Sequence, residues 1–162
     1  MARHSLEIEV VMLLADTPFL RIEAKLEPIV DLGPTPYGER RVIHILGGRF
    51  EGPLLNGRII PGGADWQLLR ADGVADLRAR YTLETNEGEL ILVRSDGLRH
   101  GPAEVIARLA RGESVDPSHY YFRTILRFET SSQNLAWLNR ILTVARGRRE
   151  PDAVQLDVFK VL

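Results

Sequence analysis

The sequence predicts an all-β chain: an antiparallel β-barrel of about eight strands, lipocalin-like or up-and-down, with one short helix. Three observations point there. Apolar residues recur with a period of two in separate runs, the spacing of strands with one buried face. Clusters of Gly, Pro, Asn and Asp divide those runs at short intervals. Only one segment has clear helical spacing.

In chain order, Leu6, Ile8, Val10 and Met12 alternate with Glu7 and Glu9. Leu20, Ile22, Ala24 and Leu26 alternate with Arg21, Glu23 and Lys25. Residues 42–46 and 90–93 are more continuously apolar, as strands covered on both faces would be. Leu77, Ala79, Tyr81 and Leu83 form another alternating run, and further strands are expected over residues 120–130, 140–145 and 154–162. Turns are expected at Asp16-Thr17-Pro18, residues 31–38, Asn56-Gly57, Pro61-Gly62-Gly63, Asp72-Gly73, Asn86-Glu87-Gly88 and Ser95-Asp96-Gly97. The helix is placed over residues 103–111, where Pro102 suits the first turn, Val105, Ile106 and Leu109 share a face, and Gly112 can end it. A helical turn fits residues 134–139. Closing the sheet into a barrel would remove its exposed edges.

Composition narrows the function classes. A chain of 162 residues fits one domain, 1–162, with a core of its own. Lys plus Arg number 21 against 22 Asp plus Glu, so the basic surplus of a general nucleic-acid binder is missing. The basic knot Arg146, Arg148 and Arg149 reads as a solvated loop, split by Gly147 and ended by Glu150-Pro151. The chain has no cysteine, which removes disulfides, thiolate catalysis and cysteine-held zinc. His4, His44, His100 and His119 lack zinc-protease spacing, and His44 lies inside an apolar run. No metal and no cofactor is expected, nor a phosphate loop or nucleophile elbow. No stretch reaches the ~20 apolar residues of a membrane helix. The expectation is a cytoplasmic protein with a small-molecule ligand, no nucleic-acid or membrane partner, and homo-oligomerisation left open.

Several segments carry a family resemblance. Gly52-Pro53-Leu54-Leu55-Asn56-Gly57 precedes Pro61-Gly62-Gly63-Ala64-Asp65-Trp66. Asp76-Leu77-Arg78-Ala79-Arg80-Tyr81-Thr82-Leu83, Tyr120-Tyr121-Phe122-Arg123-Thr124 and Trp137-Leu138-Asn139-Arg140 follow. In order and spacing these resemble the DUF3237 family, also called UPF0311. The resemblance implies an antiparallel β-barrel and a soluble, mostly bacterial or fungal protein. The family lacks a generally assigned function, so no catalytic set comes with it.

The residues in these segments admit two readings each. Pro61-Gly62-Gly63 is a turn, or a loop at a barrel mouth where a ligand approaches the backbone. Asp65 caps that turn or presents a carboxylate to a pocket. Trp66 and Tyr81 are core aromatics, or pocket wall and hydroxyl donor. Arg80 and Arg123 have the parity opposite their apolar neighbours and so face solvent, unless the barrel lines its interior with polar groups. Asn139 caps a helical turn or aims its amide at a ligand.

On the functional reading, all six converge on one pocket. Asp65 is then the acid or base, Arg80 and Arg123 stabilise oxyanion charge, and Trp66, Tyr81 and Asn139 hold the substrate. That describes an enzyme acting on a small carbonyl- or carboxylate-bearing apolar compound by isomerisation, cyclisation, dehydration or ring opening. A carrier barrel without chemistry and a fully packed structural module are the alternatives.

Overall fold

The computed structural model describes residues 12–162. Its strands are β1 (Leu20–Leu26), β2 (Val30–Thr35), β3 (Gly38–Glu51), β4 (Gly57–Leu69), β5 (Ala75–Thr85), β6 (Leu90–His100), β7 (Tyr121–Glu129), β8 (Thr143–Arg149) and β9 (Ala153–Lys160). One helix, α1 (Ala103–Ala110), follows β6. All pairings are antiparallel, and each strand from β3 to β9 pairs with the next. β1 pairs with β9 on one side and β3 on the other, so eight strands close into a barrel. β2 is a ninth strand that pairs only with the first part of β3, as a hairpin extending beyond the barrel wall.

Parity decides what fills the barrel. Leu20, Ile22, Ala24 and Leu26 of β1 are buried, as are Leu77, Tyr81 and Leu83 of β5 and Phe122, Thr124, Leu126 and Phe128 of β7. The charged residues between them point outward. One end is plugged: Leu138, in the 3₁₀ turn Ala136–Arg140, is fully buried, and Phe19 meets Phe128 and Trp137 edge-on, with ring centroids 6.3 and 5.8 Å apart. Burying each such leucine or phenylalanine contributes roughly 1.5–3 kcal/mol. The other end, where β6 passes into α1, is the mouth.

The expected helix and the hairpin at Asn86-Glu87-Gly88 are present. The run from Leu6 to Val10 lies outside the described residues. Several turn assignments are corrected. Pro61-Gly62-Gly63 lies within β4, where the register slips between Ile60 and Ala64, so three residues bulge outward opposite one position of β5. A matching slip in β3 between His44 and Gly48 bends both strands together. Ser95-Asp96-Gly97 is likewise inside β6, because Gly97 lets β7 run close against it. Residues 31–38 form most of β2 and its turn. The Arg146–Arg149 knot is on β8 rather than in a loop. Leu46, Leu90 and Leu92 are exposed, so those two strands are covered on one face only, and His44 is exposed too.

Candidate functional site

The inward positions near the mouth break the apolar pattern. On β4 they are Asp65 and Gln67, on β3 Arg41, on β6 Ser95 and Arg99, and on β8 Arg149. A directed hydrogen-bond chain links three of them. Arg41 Nη2 donates to Gln67 Oε1 at 2.8 Å, and Gln67 Nε2 donates to Asp65 Oδ2 at 2.8 Å. The backbone N–H of Arg78 donates to Asp65 Oδ1 at 3.0 Å. Gln67 is only 1% exposed, so both ends of its amide are committed to these partners.

The electrostatics follow from burial. Desolvation pushes the Asp65 carboxyl above the ordinary aspartate range, against the pull of Gln67 and of the Arg99 charge. The Arg99 guanidinium, 5.5 Å over the Phe122 ring, is pushed down to about 10, first by burial and then by the like charge of Arg149. Arg149 and Arg41 are lowered as well, chiefly by burial. Arg149 Nη1 donates to the Ala153 carbonyl at 3.0 Å, and its backbone N–H to Tyr120 Oη at 2.9 Å. Inside the mouth three guanidinium groups therefore face one buried carboxylate, while Glu39 and Asp31 act on Arg41 from farther out and Glu27 and Asp152 lie on the exposed rim. Such an excess favours an anion.

These groups surround a space in two parts. The inner cavity encloses about 50 Å³, walled by Ile22, Ile45, Ala79, Tyr81 and Thr124 with Asp65 among them. A groove of about 380 Å³ opens beyond it, beneath Ile106 and Leu109 of α1 and beside Ile29 and Pro151. The two parts share Leu26, Ile43, Arg99 and Arg149 as walls, so the arginines stand at their junction.

Of the six residues expected to converge, Asp65 and Tyr81 line the cavity and four do not. Arg80 lies on the outer wall, its Nη1 2.9 Å from Asp96 Oδ1. Arg123 is exposed, 5.5 Å over the Tyr121 ring. Trp66 is 43% exposed on the outer face, where it lines a separate depression with Tyr37 and Arg40, and is not part of the core or of the barrel cavity. Asn139 straps a loop: its Oδ1 accepts from the Thr130 N–H at 2.8 Å and its Nδ2 donates to the Thr130 carbonyl at 2.9 Å. The physical reason is strand parity, which sends Arg80 and Arg123 outward as surely as it sends Tyr81 and Phe122 inward. Arg80→Ala and Arg123→Ala should each leave affinity for an anionic probe within about twofold and stability within about 0.5 kcal/mol of the parent. Titration calorimetry with octanoate and urea melts check this.

Sequence reasoning does not single out Arg41, Gln67, Arg99, Arg149 or Thr124. For some of them a signal exists: Gln67 shares the parity of Asp65, and Arg99 that of Ile91 and Val93 once β6 is allowed to run through Ser95-Asp96-Gly97. Among the described residues no three His, Asp or Glu side chains cluster as a metal site, and no helix is long and apolar enough to cross a membrane.

A family model described as a protein of unknown function, DUF3237, matches residues 15–161. The chain belongs to the DUF3237 family. Relatives called UPF0311 proteins agree along most of its length. One from Rhodopseudomonas palustris is 41% identical over 141 residues, covering 87% of this chain and 92% of its own. One from Bradyrhizobium diazoefficiens is 40% identical over 148 residues, covering 91% and 97%.

Solved structures share the barrel of this DUF3237 chain. A Rhodopseudomonas palustris protein of unknown function superposes with a TM-score of 0.89 at 39% identity, over 94% of this chain and 100% of that one. An Acinetobacter baumannii protein described as β-barrel-like gives 0.80 at 39%, over 98% and 100%. A structure described as an enzyme from Penicillium herquei gives 0.62 at 21% identity, over 91% and 97%, a likeness of fold alone.

Proposed function

We propose that this barrel binds a small, partly apolar molecule bearing a carboxylate or carbonyl at its mouth and transfers a proton to or from it through Asp65. The observation that carries the reading is the arrangement at the junction: one desolvated carboxyl and three guanidinium groups beside an apolar groove. Arg99 and Arg149 take the oxygen-binding role first expected of Arg80 and Arg123. Ile29, Ile106 and Leu109 face the apolar body.

The chemistry follows from these groups. Asp65, when ionised, takes a proton from carbon next to a carbonyl, and the bonding pair moves to the carbonyl oxygen as an enolate. Fixed guanidinium charge stabilises that oxygen in a site of low dielectric. The acid form of Asp65 then returns the proton to the same or another atom, as isomerisation, dehydration or ring closure requires. A raised carboxyl pKa brings the two forms closer in energy near neutral pH.

Octanoate is a suitable first probe, with one carboxylate and an apolar tail. Arg99→Ala should weaken its binding about tenfold or more, since a charge-assisted contact contributes roughly 1.5–3 kcal/mol. Unchanged affinity in that variant refutes the mouth assignment. The catalytic half is tested by incubating the protein with hydroxy acids, lactones and enones in deuterated water. Exchange or conversion that vanishes in Asp65→Asn supports it; binding with no exchange in the parent leaves a carrier.

A further inference from the structure

Among the described residues three buried side-chain polar atoms have no hydrogen-bond partner: Arg41 Nε, Tyr81 Oη and Thr124 Oγ1. All three belong to this one region of the barrel. Tyr81 and Thr124 are walls of the inner cavity, and Arg41 is a wall of the groove outside it. Buried polar groups ordinarily find partners, because one left unpaired has lost its water for nothing. Three such atoms around one cavity and its mouth offer hydrogen-bond partners to an oxygen-rich ligand.

Their depths differ. Arg99 and Arg149 mark the junction between cavity and groove, whereas Tyr81 and Thr124 lie on the cavity side of it. Tyr81 projects from β5 and Thr124 from β7, with β6 and its buried Ser95 between them. Burial raises the Tyr81 phenol further above its ordinary range, so it stays protonated and can donate. The cavity itself, at about 50 Å³, has room for about three to five non-hydrogen atoms. A ligand whose carboxylate is held at the junction can therefore send only a short oxygenated tip inward. Its apolar tail must lie the other way, in the groove under α1.

Resting on the reading of the mouth as an anion site, we infer that the ligand is an α- or β-oxygenated carboxylic acid. Its hydroxyl or oxo oxygen occupies the inner cavity between Tyr81 and Thr124, and its apolar tail runs along the groove. Tyr81 and Thr124 are then specificity residues. They distinguish an oxygenated acid from the same acid without that oxygen, because the plain acid leaves both hydroxyls unpaired.

The test compares β-hydroxyoctanoate with octanoate by titration calorimetry on the intact chain. The parent should bind the hydroxy acid about tenfold or more tightly than octanoate. Tyr81→Phe and Thr124→Val should each lose most of that preference. Both variants remove an unpaired buried hydroxyl without changing its shape much, so the unliganded melting temperature should hold or rise. Arg99→Ala should weaken both acids alike and keep the preference. Equal binding of the two acids by the parent, or a preference that survives in the Tyr81→Phe, Thr124→Val double variant, overturns the inference. Octanoate affinity that ignores Arg99→Ala overturns the anion site instead, a separate failure read on a separate variant.

Discussion

Gly48→Ala should cost about 3–5 kcal/mol, a large fraction of the roughly 5–15 kcal/mol that holds a domain folded. Gly48 lies on β3 where it pairs with Ala24 of β1, the seam that closes the barrel. Its φ is +140°, which L side chains rarely adopt. A Cβ there would stand 2.0 Å from the Glu23 carbonyl oxygen and 3.1 Å from the Ala24 Cα. Those are backbone atoms of a paired strand and cannot swing aside, so relief requires β1 to move off β3. That movement opens the barrel and uncovers Ile22 and Phe50. Gly73→Ala is the control: Gly73 also has a positive φ, +84°, but nothing within 4 Å of its added Cβ. It should cost only about 1–2 kcal/mol from backbone strain. Urea denaturation of the three proteins decides. A Gly48 variant no less stable than the Gly73 variant shows that the seam is not where the barrel is held shut.

The fold was legible because a barrel with one wet face and one dry face writes its geometry into alternation. β1, β5 and β7 can be read residue by residue from that pattern. What misleads is punctuation. Pro61-Gly62-Gly63 and Ser95-Asp96-Gly97 have turn chemistry, yet both lie inside strands. A tightly curved barrel needs glycines within its strands, for bulges and for close approach of neighbours, and those glycines resemble turns when no neighbour is visible.

The candidate site was legible only in part, and for the same reason. Asp65 and Tyr81 can be chosen from sequence because each lies in a distinctive segment, Asp65 directly after Pro61-Gly62-Gly63-Ala64 and Tyr81 within the alternating run of β5. Arg80 and Arg123 draw attention through the company they keep, although their parity points outward. The arginines at the mouth are hidden. Arg99 follows a segment with turn chemistry, and Arg149 ends a basic run with the look of a solvated loop. Arg41 lies just outside the apolar run of residues 42–46. Each reaches the mouth through register between strands distant in sequence, such as Arg41 opposite Gln67 and Ala75 opposite Arg99. Periodicity within one strand does not report register across several.

Asp65→Asn should flatten one arm of the stability-versus-pH profile. The Asp65 carboxyl is raised in the folded barrel, whereas in the unfolded chain it titrates near the ordinary value of about 3.9. Between those two pKa values the folded state holds a proton that the unfolded state has released. Stability through this group therefore falls as pH rises across that window, and the penalty is constant above it. The carboxylates with lowered pKa values, Glu23, Asp72, Asp116 and Asp157, act in the opposite sense and at lower pH. Arg99 and Tyr81 act only in alkali. Because the asparagine side chain of the variant does not titrate, the difference between variant and parent isolates the Asp65 contribution. The variant also meets a local conflict. Gln67 must keep its oxygen toward Arg41, so its NH₂ would face an asparagine NH₂ or else the Arg78 N–H would lose its acceptor. That mismatch costs about 1–3 kcal/mol at every pH and shifts the curve without bending it. The slope is thus the readout: melts from about pH 4 to pH 8 should show the variant gaining on the parent as pH rises. A difference that stays level means that Asp65 titrates as it would in water. The groove would then still attract an anion through its arginines, but the carboxyl would lack the perturbation that suits it to proton transfer.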